Sequence, residues 1–348
     1  MFYVTSTYSI SLALRRTLGG LQTDLARSQK EFTTGRQADL GVALGAHAAR
    51  SFALGGARDT IEATRATNNI VSARLESTQT SLTTLLANAK AMRATLLSAQ
   101  TDGGEPGAIV AQGRNALANF ISTLNGGDGD SFLFGGINNG VAPVTDYFAQ
   151  PPAANKLALD AAFLSSFGFA QGDPAVASLT TTQVNDFLNG PFQSLFTPGS
   201  WATTWSRASD EPQRSQISMS LTIDSSITAN EPALQKLAAA YTMTSDLGAA
   251  NMNRETYKVV LQTARQTIDD AIDSLTRAQA RVGVMQGTIN ATNETMSIQS
   301  NTLLIQLGDL EGVDQTEAAA RVNNLMTQIE SAFTLTSRIN QLSLTKFL

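Results

Sequence analysis

The 348-residue sequence contains no cysteine. That excludes disulfide staples, thiol nucleophiles and cysteine-based metal sites. It has a single histidine, His47, in a glycine- and alanine-rich stretch, and nothing to complete a zinc set or a nucleophile–base pair. Charge is sparse at 15% of residues, with Lys+Arg 24 against Asp+Glu 29 and a net charge of -5. No basic block exists, so no nucleic acid partner is expected. No apolar run approaches the roughly 18 residues that a membrane span needs, so no membrane span is expected. Arg15 and Arg16 follow the first apolar residues instead of preceding them, and no cleavable secretory signal is expected. Aromatics reach only 6%, although hydrophobic residues make up 42%. The remainder is dominated by Ala, Thr, Ser, Asn and Gln, which suits helices that bury much of their surface against neighbours, including other copies of the chain.

What the sequence does have is heptad periodicity. Every seventh residue from Leu261 to Leu310 is large and aliphatic: Leu261, Ile268, Leu275, Val282, Ile289, Met296, Leu303 and Leu310. Three residues on, Ala264, Ala271, Ala278 and Met285 give way to Thr292, Gln299 and Gln306. The spacing predicts one continuous helix about 70 Å long with an a/d seam, tight in its first half and weaker in its second. A second long helix is predicted from about residue 57 to 99. Its Leu75, Leu82, Leu85, Met92 and Leu96 supply the facing half of a rod core.

The two ends of the chain repeat this logic. Leu14, Leu18, Leu21, Leu25 and Phe32 form the stripe of an amphipathic helix over about residues 10–33, with Gly35 as its C-cap. The last helix presents Val322, Leu325, Ile329, Phe333, Ile339 and Leu342. These two faces are the candidate assembly interface, expected to meet each other and neighbouring copies.

Between the ends, residues 38–56 are glycine-punctuated and read as an irregular connector with a short helical turn. A shorter helix is expected over 107–124. After a glycine-rich turn, Phe132-Leu133-Phe134 reads as a short strand. Composition shifts near Val141: residues 141–224 hold most of the prolines and both tryptophans, Trp201 and Trp205. Alternation of Ile217, Met219, Leu221 and Ile223 predicts a half-buried strand there. A helix from about Pro232 to Asp246 returns to the long helices. The expected fold is mainly α: long antiparallel heptad helices forming a rod-like bundle, with paired N- and C-terminal helices and a small mixed α/β or β-containing middle module. The expected domains are 1–40 with 309–348 (terminal coiled coil), 41–140 with 225–308 (helical rod) and 141–224 (middle module).

Chemistry is largely missing. Asp269 and Asp270 are adjacent on a helix and cannot face each other as an acid/base pair, so they read, with Asp273, as a solvated face. Gly126 to Asp130 resembles one unit of a calcium-binding repeat, but it occurs once and reads as a turn. Gly135-Gly136 lacks the spacing of a phosphate loop. Met243, Met252, Met285 and Met296 read as core filling. No catalytic, cofactor-binding or metal-binding residue is expected, and no enzymatic activity.

Several short motifs carry a family resemblance. Phe32-Thr33-Thr34-Gly35-Arg36 resembles the Ser/Thr-Gly-Lys/Arg that closes the first helix of the bacterial flagellins. Ser131-Phe132-Leu133-Phe134-Gly135-Gly136 is similar to the Leu-Phe-x-Gly segment of the hook-associated junction proteins that share flagellin architecture. Arg281-Val282-Gly283-Val284-Met285-Gln286 is similar to the Arg-Leu-Gly-x-x-Gln of the C-terminal long helix. Leu310-Glu311-Gly312-Val313-Asp314, followed by Glu317-Ala318, resembles the acidic turn before the last helix. The usual Asp-Asp-Pro after the first turn is replaced by Asp39-Leu40-Gly41, a departure that leaves the filament subunit open as the alternative, while the Phe132-Leu133-Phe134-Gly135-Gly136 segment and the proline-rich middle module favour a protein that joins hook to filament.

The resemblance implies a tubular, extracellular flagellar assembly. Its inner wall would be the paired terminal helices, with the middle module facing outwards. The implied partners are copies of the chain, other flagellar axial proteins (hook-associated protein and flagellin) and an export chaperone serving signal-peptide-independent type III export. A coiled-coil signalling or adaptor protein is the alternative from a different class.

Overall fold

The computed structural model describes residues 7–102, 104–129 and 131–344, with side chains described for these except at 7, 8, 11, 102 and from 339 onward. The helices are α1 (Thr7–Thr34), α2 (Leu40–Leu44), α3 (Ala48–Asp102), α4 (Pro106–Leu124), α5 (Ala154–Phe167), α6 (Thr181–Phe187), α7 (Pro198–Thr204), α8 (Pro232–Asp246), α9 (Arg254–Glu311) and α10 (Gln315–Leu344). Strands β1 (Arg214–Gln216) and β2 (Thr222–Asp224) pair antiparallel as a two-stranded hairpin. The protein is therefore mainly α, with long helices packed on one another.

The two long heptad helices exceed their predicted spans. α9 runs 58 residues and α3 55 residues without interruption. α3 begins at Ala48, not near residue 57, and passes straight through Gly55-Gly56, so the predicted irregular connector is shorter than expected. Two helical glycines cost on the order of 1 kcal/mol each, and the packing of this end offsets them: Ser51 is buried.

The chain divides into two compact units, one of residues 64–294 and one of residues 1–63 with 295–348. In the first, α3 and α9 run antiparallel. Gln279 on α9 donates to Thr83 on α3 at 3.0 Å, and Arg93 meets Asp269 at 3.4 Å, so numbering falls along one helix as it rises along the other. Leu75, Leu82, Leu85, Met92 and Leu96 of α3 are buried, as are Leu261, Ile268, Leu275, Val282 and Ile289 of α9; Met285 is partly buried. The alanines at d let the two backbones approach closely. α4 and α8 complete this packing. Gly113 of α4 lies where a Cβ would come 2.4 Å from Thr244 Oγ1 of α8, so only glycine fits.

Residues between α4 and α8 add an aromatic core to the same unit. Phe163, Phe187, Phe192 and Phe196 follow one another at 5.1–5.9 Å between ring centroids. Trp205 stacks between Trp201 and Tyr147, 5.4 Å from each. Two strand expectations are corrected here. Ile217, Met219 and Leu221 are the bend of the β1–β2 hairpin, not a strand, and only Ile223 lies in β2. The alternation mimicked a strand because Ile217 turns into the core while Met219 stands 89% exposed at the tip. Phe132-Leu133-Phe134 is not a strand either. Isolated bridges flank it, Phe132 to Gly127 and Gly135 to Thr228. A turn between these bridges points Leu133 and Phe134 inward, with both side chains buried.

In the second unit, α1 packs along α10, and the ends of α3 and α9 join them. Ser300 on α9 donates to Glu62 on α3 at 2.6 Å. The α9 seam also shifts here. Gln299 and Gln306 are exposed and Leu303 and Leu310 only half-buried, while Ser300, Leu307 and Glu311 are buried. A straight helix drifts about 20° per heptad from a 3.5-residue repeat, and after Met296 the buried stripe has moved one position round.

Candidate assembly site

The terminal unit is closed by a turn network that joins the end of α1 to the start of α10. α1 stops at Gly35, whose φ of +66° is the left-handed conformation that favours glycine, and whose amide donates to Glu31 O at 2.8 Å. The next residue, Arg36, forms an antiparallel bridge with Gly312. Gln37 N donates to Glu311 O at 2.8 Å, and Val313 N donates to Gly35 O at 3.0 Å. α9 ends against this bridge. A Cβ on Gly312 would come 2.4 Å from Gly308 O, so the turn requires glycine.

Two buried carboxylates lie beneath the bridge. Glu311 accepts the Ser51 hydroxyl, and its other oxygen lies 3.4 Å from Arg36 Nε. Glu31 accepts the Ala38 amide at 3.4 Å and lies 3.6 Å from a guanidinium nitrogen of Arg321 on α10. Both glutamates are about 95% buried, and both arginines are about half-exposed. Asp314 then caps α10. Its Oδ1 accepts from Thr316 N at 2.7 Å and Glu317 N at 3.4 Å, and these backbone bonds hold its carboxyl below the usual range.

The predicted interface residues distribute over two faces. On α1, Leu14, Leu18, Leu21 and Leu25 are half-buried. Ser28 and Glu31 continue that face as buried residues, whereas Phe32 is 45% exposed. Phe32 keeps the heptad position of Leu18 and Leu25, but the chain reverses at Gly35, so the last turn of the helix meets the turn network instead of a helix face. On α10, Ala318 is buried and Val322, Leu325 and Ile329 are half-buried, while Phe333 is 52% exposed. Ile339 and Leu342 lie outside the residues whose side chains are described. Ile10, Leu12, Met326 and Leu335 are further large apolar residues left exposed on the two helices. The terminal pair thus buries one stripe and leaves several large apolar side chains around it exposed.

The remaining motif residues sit in the other unit. Arg74 of α3 donates to Ser131 Oγ and Phe132 O, both at 2.7 Å, and pairs with Asp128 at 3.6 Å. Ala229 N donates to Phe134 O, and Ser209 N to Gly135 O. The Phe-Leu-Phe-Gly segment thereby ties the middle residues to the long helices. Arg281 pairs with Glu231, just before α8, at 2.6 Å. Gly283 is exposed with open space around it, and Gln286 is half-buried.

Glu31, Ser51 and Arg321 escaped the sequence reading, and Glu311 entered it only as part of the acidic turn before the last helix. A heptad pattern marks apolar seams, and nothing in it singles out a carboxylate that a turn will bury. Asp269 and Asp270, read as a solvated face, are ion-paired. Asp269 sits 2.8 Å from Arg265 and 3.4 Å from Arg93, and Asp270 lies 3.9 Å from Lys236. His47 is exposed. Among the described residues no group of three or more His, Cys, Asp or Glu is placed to hold a metal, and no helix is long and apolar enough to cross a membrane.

Two family models match the chain. Residues 5–138 match the bacterial flagellin N-terminal helical region, and residues 265–348 match the bacterial flagellin C-terminal helical region. No curated protein matches it by sequence. Among solved structures, it is similar to a Vibrio parahaemolyticus protein provisionally described as a flagellar hook-associated protein. That match has a TM-score of 0.52 and 14% identity, and covers 76% of this chain and 97% of the other.

Proposed function

As a chain bearing both the N-terminal and the C-terminal helical regions of the flagellin family, the protein is a structural component of the bacterial flagellum, an extracellular appendage, and not an enzyme; we propose that it joins hook to filament. The observation that carries the assembly reading is the set of large apolar side chains that the terminal pair leaves exposed. α1 and α10 pack along one stripe and leave Leu12, Phe32, Met326, Phe333 and Leu335 exposed. Adjacent copies, and the axial proteins above and below, would cover those side chains.

The junction role rests on the Phe132-Leu133-Phe134-Gly135 segment and on the similarity to a protein described as hook-associated. Residues 141–224 would face outwards from the tube. Export would proceed unfolded through the flagellar type III route with a chaperone guarding the terminal helices. Deleting residues 1–33 or 315–348 is expected to abolish incorporation while residues 64–294 still fold. Incorporation of either truncation into hook or filament ends would refute the terminal-helix assignment.

A second reading is the filament subunit itself, favoured because both matching family models describe flagellin. Electron microscopy of flagella from a deletion strain separates the two. Hooks without filaments, with the protein itself confined to the junction, support the junction role. Long filaments grown from the purified protein alone would overturn it in favour of the filament subunit.

A further inference from the structure

The unit of residues 64–294 contains a cavity of about 270 Å³ that the assembly reading does not use. Its first wall is the π-helical turn Leu188–Phe192 and the residues after it; α8 and α9 form the others. Pro191 lies inside that turn and has no N–H to donate, which accounts for the widened helix.

The lining divides by chemistry. The apolar lining includes Leu188, Phe192 and Met243. The polar, uncharged lining includes Asn189, Gln193, Gln235 and Thr263. Asn189 donates its amide to Asn185 O, and Gln235 donates to Asn230 O, so each keeps a side-chain oxygen free to accept. The side chains of Gln193 and Thr263 make no hydrogen bond within the described chain and offer both donors and acceptors. The two charged lining residues, Lys236 and Asp270, answer each other at 3.9 Å and leave no net charge.

We infer that this cavity is a binding site for a single neutral sugar ring, such as one hexose or N-acetylhexosamine unit. Each hydroxyl of such a ring both donates and accepts, which matches the mixed set of free amides and hydroxyl, and its C–H groups suit the apolar side chains among them. An anion would need uncompensated positive charge. A purely apolar ligand would leave the side-chain oxygens of Asn189 and Gln235 and the side chains of Gln193 and Thr263 without partners on desolvation. At about 270 Å³ the volume lies just below the usual range of small-molecule sites, roughly 300–1,000 Å³, and so favours one ring over an oligosaccharide. This inference is independent of the junction assignment.

Saturation-transfer difference NMR on the full chain tests it, with methyl α-glucoside, methyl α-galactoside and N-acetylglucosamine as probes and acetate as the anionic control. At least one sugar is expected to give a signal, and acetate none. Gln193→Ala and Thr263→Val change surface-accessible side chains, and each is expected to weaken binding about tenfold, the equivalent of one hydrogen bond. Circular dichroism checks that both variants keep the wild-type fold. No signal from any of the three sugars overturns the inference, and so does a signal that survives both substitutions unchanged. A signal from acetate alone would identify an anion site instead.

Discussion

The backbone amide of Gln37 donates to the carbonyl of Glu311 at 2.8 Å, closing the bridge between Arg36 and Gly312. Residues 274 positions apart in sequence (311 minus 37) are thereby fixed against each other at the base of the terminal helix pair. The side chain of Glu311, beneath this bond, makes the network sensitive to single substitutions.

Glu311→Ala is expected to destabilise the terminal unit by about 1–3 kcal/mol. Ser51, only 2% exposed, would lose its acceptor and stay buried without a partner. The lost pairing with Arg36 adds little, because that arginine is half-exposed and screened by water. Faster hydrogen exchange at the Gln37 and Val313 amides, with residues 64–294 unchanged, would report the effect. Unchanged exchange would contradict the assignment of Glu311 as the anchor.

Gly312→Ala should be more damaging than Gly35→Ala. At Gly35 a side chain would occupy the left-handed region, at about 1–2 kcal/mol, and its nearest neighbour is the movable Gln315 amide at 3.3 Å. At Gly312 the new Cβ would meet backbone, Gly308 O at 2.4 Å, and α9 would have to shift. Thermal unfolding of the two variants should rank them in that order.

The cap at Asp314 gives the start of α10 an acid dependence. Backbone donors at Thr316 and Glu317 depress its carboxyl below the usual value near 3.9. A depressed folded value means the stabilisation is fully present above the unfolded value and is lost as pH falls through the folded one. A carbon-13 titration should therefore show Asp314 ionising below ordinary aspartates. In Asp314→Ala, the exchange rates of the Thr316 and Glu317 amides should lose this acid dependence.

Gly283 of α9 has open space around it, so nothing within the chain requires glycine there. Gly283→Ala is expected to raise the stability of the free protein by about 1 kcal/mol. If a neighbouring copy packs against this face in the assembly, the same substitution should slow incorporation into flagella. Unimpaired incorporation would remove Gly283 from the contact surface.

The sequence alone determined the long heptad helices, though not α5, α6 and α7 within residues 141–224. Period-3.5 stripes at Leu261 to Ile289 and at Leu75 to Leu96 are properties of composition and spacing, and no loop could satisfy them. The stop at Gly35 and the start of α10 were legible for the same reason, since a C-cap glycine and the Asp314 cap act locally. Tertiary structure decided everything that depends on what comes from far along the chain. Only the turn network explains why Glu31 and Glu311 are buried and Phe32 is not. Only the bridges to Gly127 and Thr228 show that Phe132 to Gly135 is an anchor and not a strand. The alternation at Ile217 to Ile223 was locally indistinguishable from a strand, and the hairpin bend became visible once Arg214 was paired with Asp224. Local propensity fixes an element when its hydrogen bonds close within it. Long-range partners decide the turns, the buried charges and the faces left for assembly.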